Sequence, residues 1–376
     1  MKLFEGVKEK KVEYTELIYD LIFVYIIGQI NELLQNIHGG FFPWTSFLSY
    51  ILCLLGMIQI WNFSTYYINM YGKNSARNHV FLFLNMFLLY FVGSATKVHW
   101  STLQTRYHVA WGLILLNIAA QHFLELPSYK DDPQSKKSLI TAGSILTVEA
   151  VIVFLAVVFK GIPGIILSGA AIVFGMAATG FTSKGNYEAV DFMHLTERAM
   201  LFVVFTFGEM VVAIAGYFEG PVNFWNIYFA GMTFLVVVGL FLSYETLYDH
   251  IIDRELDTNG LGYMFLHVFM IFGLNNVSTA LEFMHNAEVR TRPKMVFLVV
   301  SLIIYYAFLL ATGKYCKPVC HKHDKKLYLQ NALIIAAFVL LMILLHRYMA
   351  INIAITVVFV FIIYARLYWF AKKIES

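Results

Sequence analysis

The chain has 376 residues, 59% hydrophobic and 14% charged, with a formal net charge of +3 and a mean hydropathy of +0.67. A soluble globular domain is excluded, because such domains carry about 25% charged residues. The small net charge selects no polyanionic partner, and the polar stretches between apolar runs are too short to hold a soluble domain with its own core.

Taken in order, the apolar runs predict an all-α polytopic membrane bundle of about twelve transmembrane helices, at 14–37, 43–71, 79–99, 107–125, 139–159, 162–181, 194–217, 223–249, 260–282, 293–313, 327–347 and 349–370. The first thirteen residues are charged, and the run behind them is full length and holds Glu16 and Asp20, so it reads as a retained helix and not a cleaved signal. Most Lys and Arg fall in the N-terminal tail, the even-numbered connections and the C-terminal end. By the positive-inside rule both termini face the cytoplasm.

The first helix carries Glu16 and Asp20 on one face, four residues apart, and ends near Gly28-Gln29. The second holds Asn62 and Cys53, and the third holds Asn85. Glu149 lies near the middle of the fifth, with no partner evident from the sequence, and is a second candidate, after Glu209 of the seventh, for an intramembrane acid with a function. The sixth, "IPGIILSGAAIVFGMAATG", has small residues and no ionisable group, which reads as a packing helix. In the seventh, "HLTERAMLFVVFTFGEM", His194, Glu197 and Arg198 occupy the first turns, and Glu209 lies ~18 Å further along, past the midplane. A terminal charge can snorkel to the interface. Glu209 cannot readily do so, which makes it a candidate proton carrier or ion ligand.

Glu245 and Asp249 end the eighth helix with the same four-residue spacing, and His267 opens the ninth. Acids, the arginine and histidines thus fall at similar depth on the first, seventh, eighth and ninth helices. Arg198 is expected to pair with Asp20, Glu16 or Glu245, either as a structural clamp or as part of a working site. In the loop after the tenth helix, Cys316, Cys320, His321 and His323 lie close together, but their spacing follows no trusted zinc pattern, so neither a metal nor a cofactor is expected. Trp44, Trp100 and Trp225 suit an interfacial belt.

A tandem repeat with a period of about 181 residues relates Thr15-Glu16 to Thr196-Glu197, Gly28-Gln29 to Gly208-Glu209, "NFSTYY" to "SYETLY" and Asn85 to His267. It divides the chain into six-helix halves, 1–190 and 191–376. An even number of helices separates equivalent positions, so the halves are expected to share one orientation about an axis along the membrane normal.

Two blocks resemble a known family. "ELIYDLIFV", with Glu16, Leu17, Asp20, Leu21, Phe23 and Val24, and "HLTER…GE", with His194, Glu197, Arg198, Gly208 and Glu209, are similar to the distinctive segments of the bacterial low-temperature-requirement A family. His267 and Arg77 match two further family positions. Ile18 stands where an aromatic is usual, and "FLSYE" stands where the family tends to have tryptophans. The resemblance implies a multi-pass protein of the bacterial inner membrane. The family name records a cold-growth phenotype, so no reaction comes with it.

The residues suggest a transporter or channel-like permease. Its proton- or cation-binding groups would be Glu209, Glu16, Asp20, Glu197, Glu245 and His267, and its ion pair or gate would comprise Arg198, His194, Asn85, Gln29 and Asn62. The alternatives are an intramembrane enzyme acting on a lipid-linked substrate through the His/Glu cluster and a non-catalytic scaffold. Expected partners are the lipid bilayer and a small ion or small-molecule substrate, with no nucleic acid; a homo-oligomer stays open.

Overall fold

The computed structural model describes residues 10–96, 100–159, 161–182, 190–218, 222–322 and 324–375. Among them are twelve long α-helices and no strand beyond two isolated bridges. The helices are α1 (Tyr14–Ile30), α2 (Trp44–Tyr71), α3 (Ala76–Thr96), α4 (Trp100–Glu125), α5 (Pro133–Val158), α6 (Ile162–Thr182), α7 (Phe192–Ala213), α8 (Phe224–Thr246), α9 (Leu261–His285), α10 (Thr291–Ala311), α11 (Asp324–Leu344) and α12 (Met349–Glu375). Eleven, counted with short continuations at their ends, are long and apolar enough to cross a bilayer. The apolar part of α11 is the shorter Leu329–Leu344. Helices are the available answer here, since hydrocarbon offers no partner to a free N–H or C=O.

Several helices, α3, α5 and α7 among them, begin earlier than their apolar runs, because polar capping residues start them, and a residue of the same kind caps α8. Ser75 precedes α3 and receives the Asn78 amide at its hydroxyl (3.4 Å). Asp132 opens α5 ahead of Pro133, Asp191 opens α7, and Asn223 opens α8 by accepting from the Asn226 amide at 3.0 Å. Each satisfies N–H groups that the first turn leaves unpaired. At its far end α1 stops at Ile30 and tightens into a 3₁₀ turn, Asn31–Leu34, short of the expected residue 37.

The chain forms two compact units. The first takes α1 to α6, α7 up to Phe202 and the segment Glu255–Met264. Here α4 packs between α3 and α5, α5 packs on α6, α1 lies on α2 and α3, and α2 reaches α4 and α6. Its core includes Tyr19, Phe23, Tyr50, Trp61, Tyr107 and Trp111, all wholly buried. The second takes residues 37–43, the rest of α7, α8, and the chain from Phe265 onward. In it α8 packs on α12, and α11 packs on α10 and α12. The loop 37–43 turns through Gly39 and Gly40, both at positive φ, and sets Phe42 against Phe297, ring centroids 5.3 Å apart.

Candidate functional site

The ionic centre of the first unit lies between α1 and α7. Arg198 is 0% exposed, and its guanidinium lies along Asp20: Nε donates to Oδ2 at 3.2 Å and Nη2 donates to Oδ1. Its remaining Nη1 donates to Glu16 Oε2 at 3.1 Å. Trp61 on α2 adds an indole N–H to Asp20 Oδ1 at 2.8 Å, and its ring lies 4.3 Å from that of Phe202. Asp20 therefore has both oxygens engaged by charge-assisted or indole donors, the arrangement a buried carboxylate needs.

His194 stands one turn before Arg198 and is also fully buried. Its Nε2 lies 3.3 Å from Glu16 Oε2, and its Nδ1 lies 3.0 Å from Asn69 Nδ2. The Asn69 amide is fixed from elsewhere: its oxygen accepts the Asp191 N–H at 3.0 Å, and its nitrogen donates to the Asp191 carbonyl at 2.8 Å. Asn69 thus presents a donor to Nδ1, which must accept, leaving the ring hydrogen on Nε2, on the side of the ring near Glu16 but without hydrogen-bond geometry to it.

Asp191 ties three chain segments together. Its side chain caps α7 through the His194 N–H (3.0 Å) and accepts the Lys10 backbone N–H (3.3 Å). Lys10 Nζ in turn donates to the Ile68 and Gly72 carbonyls at the end of α2, the last at 3.0 Å. Burial holds the Lys10 ammonium below the ordinary lysine range, partly offset by the acids around it.

The other expected residues are distributed as follows. Glu197 is half-buried on α7. Asn85 is buried away from the ionic centre, accepting from Asn117 at 2.8 Å and donating to the Tyr19 hydroxyl at 3.4 Å. Asn62 and Gln29 are half-buried. In the second unit Glu209 is half-buried, Glu245 and Asp249 are exposed on their helix, and His267 is buried with Nε2 3.2 Å from the Tyr244 hydroxyl. Cys53, Cys316 and Cys320 are buried; the side chain of His321 and the whole of His323 lie outside the described residues.

Sequence reasoning missed Trp61, Asn69, Asp191 and Glu125. Asp191 had a signal, an acid three residues before His194 at a helix start. Glu125, at the end of α4, is wholly buried and pairs with Lys73 at 2.6 Å and with Arg77. Near that end of the unit a cavity of about 730 Å³ opens between α2, α5 and α6, lined by Tyr67, Tyr71, His122, Lys137, Thr141 and Thr179 among others.

These features define a multi-pass helical membrane protein with a buried ion-pair cluster joining its first and seventh helices. The sequence profile of the family described as Bacterial low temperature requirement A protein (LtrA) matches residues 11–365, and the chain belongs to that family. Comparison with curated proteins finds no match.

Proposed function

We propose that this chain is a transporter or channel-like permease of the bacterial inner membrane, with both termini cytoplasmic, whose Glu16 cluster binds a proton or small cation. The observation that carries this reading is a shared partner: two buried carboxylates, Glu16 and Asp20, divide the hydrogen bonds of one buried guanidinium, while Asn69 donates to Nδ1 of His194 beside Glu16. Lys10 adds its charge from further off, its ammonium donating to the carbonyls of α2. A carboxylate in a low-dielectric layer that shares its nearest cation with a second acid favours a closer positive partner.

Glu16 is the group to take it. Asp20 has both oxygens committed, whereas the contacts of Glu16 with Arg198 and His194 converge on Oε2. Loading Glu16 would weaken its hold on Arg198 and loosen α1 from α7, which couples occupancy to helix movement. Glu209, Glu197, Glu245 and His267 complete the proposed set of ion-handling residues, and the six-helix halves 1–190 and 191–376 are the proposed moving parts.

Proteoliposome flux under an imposed proton or cation gradient tests this. Wild type should carry flux that Glu16→Gln and Glu209→Gln each abolish. Equal flux in all three overturns the reading.

A further inference from the structure

One face of α6 gathers buried polar groups from three other helices. At Gly164, a side chain would meet Gln104 Nε2 of α4. One turn on, Ser168 Oγ lies 2.6 Å from Nε2 of the buried His108, also of α4. A further turn on, the Ile172 carbonyl accepts from Gln59 Nε2 of α2 at 3.2 Å. Next comes Gly175, where an added Cβ would strike both the Glu149 carboxyl of α5 and the Gln59 amide nitrogen. Then comes Thr179, which lines the cavity. Spacings of four, four, three and four residues keep all five positions on one side of the helix.

Glu149 is the unusual member. It is 0% exposed, and neither carboxyl oxygen has a hydrogen-bond partner; the side-chain oxygen of Gln59, whose amide nitrogen reaches the same point at Gly175, has none either. Three buried acceptors without a donor are costly, and the cost is greatest while Glu149 carries a charge. A single proton removes the uncompensated charge of Glu149, whose polar neighbour at Gly175 is the Gln59 amide nitrogen that donates to Ile172. Gly175 makes the seat possible, because any larger residue would occupy the space of the carboxyl.

We propose that Glu149 and Gln59 form a proton-binding site, loaded through the cavity and continued along α6 by the His108–Ser168 pair. The cavity reaches within a turn of the site on all three helices, through Phe63 on α2, Ile145 and Leu146 on α5, and Thr179 on α6. On loading, a proton from cavity water bonds to a Glu149 oxygen and leaves hydroxide; release returns it to water and restores the carboxylate. The next station satisfies its hydrogen bonds in both protonation states. His108 Nδ1–H donates to the Gln104 carbonyl at 2.7 Å throughout. With the ring neutral, the Ser168 hydroxyl donates to Nε2; with it charged, Nε2–H donates to Ser168 Oγ, whose hydrogen turns to the Gly164 carbonyl at 2.8 Å.

The titratable groups on the surrounding helices are Tyr50, Cys53, Tyr66, Tyr67 and Tyr71 on α2, Arg106, Tyr107, His108, His122 and Glu125 on α4, and Lys136 and Lys137 on α5; α6 has none. The site shares no residue with the Arg198 cluster.

Infrared difference spectra of the full-length protein in lipid decide the matter. At neutral pH wild type should show a carboxylic-acid C=O band that shifts in D₂O, is lost in Glu149→Gln, moves in Glu149→Asp and moves in Gln59→Leu. The band should persist in Glu16→Gln, which separates this site from the Glu16 cluster whatever the flux assay returns. A bulky maleimide on Thr141→Cys, in the cavity wall, should slow the D₂O shift. Identical wild-type and Glu149→Gln spectra, a band unmoved by Gln59→Leu, or an exchange rate indifferent to the cavity label would overturn the proposal.

Discussion

Arg198 and Asp20 lie edge to edge, with Nε on one carboxylate oxygen and Nη2 on the other, although 178 residues separate them in the chain. A fork-to-fork pair of this kind fixes orientation as well as distance, which a lysine cannot reproduce. Because both partners are wholly buried, Arg198→Met leaves Asp20 and Glu16 uncompensated and should cost about 3–5 kcal/mol. Adding Asp20→Asn to that variant removes one stranded charge, so the double variant should lose less than the two single losses combined. Denaturant melts in micelles, followed through tryptophan fluorescence, provide the comparison; strict additivity would show that the two residues do not act as a unit.

His194 offers a direct spectroscopic check on the cluster. If the Asn69 amide donates to Nδ1, nitrogen-15 spectra of labelled histidine must report the Nε2–H tautomer for this ring. Asn69→Leu removes that donor and also strands the Asp191 backbone groups, so stability should fall by about 1–3 kcal/mol and the tautomer preference should be lost. An Nδ1–H signal in wild type would contradict the assigned geometry.

The membrane-spanning helices were legible because every long apolar run needs internal hydrogen bonding in lipid, and Glu16, Asp20 and Arg198 stood out because charges are rare in such runs. What the sequence could not reveal was facing. Lipid and protein interior are both apolar, so a spanning helix carries little of the amphipathic stripe that orients a soluble one. Depth alone gave Glu209 its weight, yet Glu209 is half-buried whereas Glu149 is sealed. The same blindness made α6 look like plain packing: its small residues matter for what other helices place against them. Trp61 carries no local sign that its indole serves Asp20.

The α4–α5 contact interlocks reciprocally. A Cβ at Gly112 of α4 would meet the Phe154 ring of α5 at 2.6 Å, and one at Gly143 of α5 would meet the Phe123 ring of α4 at 2.8 Å. Each helix thus supplies a notch for the other's aromatic, the close approach that small residues permit in membranes. Gly112→Leu should destabilise by about 1–3 kcal/mol through overpacking, and Phe154→Ala in the same chain should recover part of the loss. Should the leucine variant melt like wild type, the notch does not carry the contact.

Asp132 supplies a pH-dependent element at the start of α5. Its Oδ1 accepts from the Gln134 and Ser135 backbone N–H groups at 3.0 and 3.1 Å, and hydrogen bonding with Ser135 first of all holds its pKa below the ordinary aspartate range. The folded value lies below the unfolded one, so the cap contributes fully above the ordinary range and is lost as pH falls through the lowered value. Hydrogen exchange at the Gln134 and Ser135 amides should therefore show protection at neutral pH that disappears in acid, after correction for intrinsic exchange rates. Asp132→Ala should lack that protection at every pH. If the two amides exchange identically in wild type and variant, the side chain is not capping the helix, and the part of the cavity rim formed by Pro133 and Gln134 is held by something else.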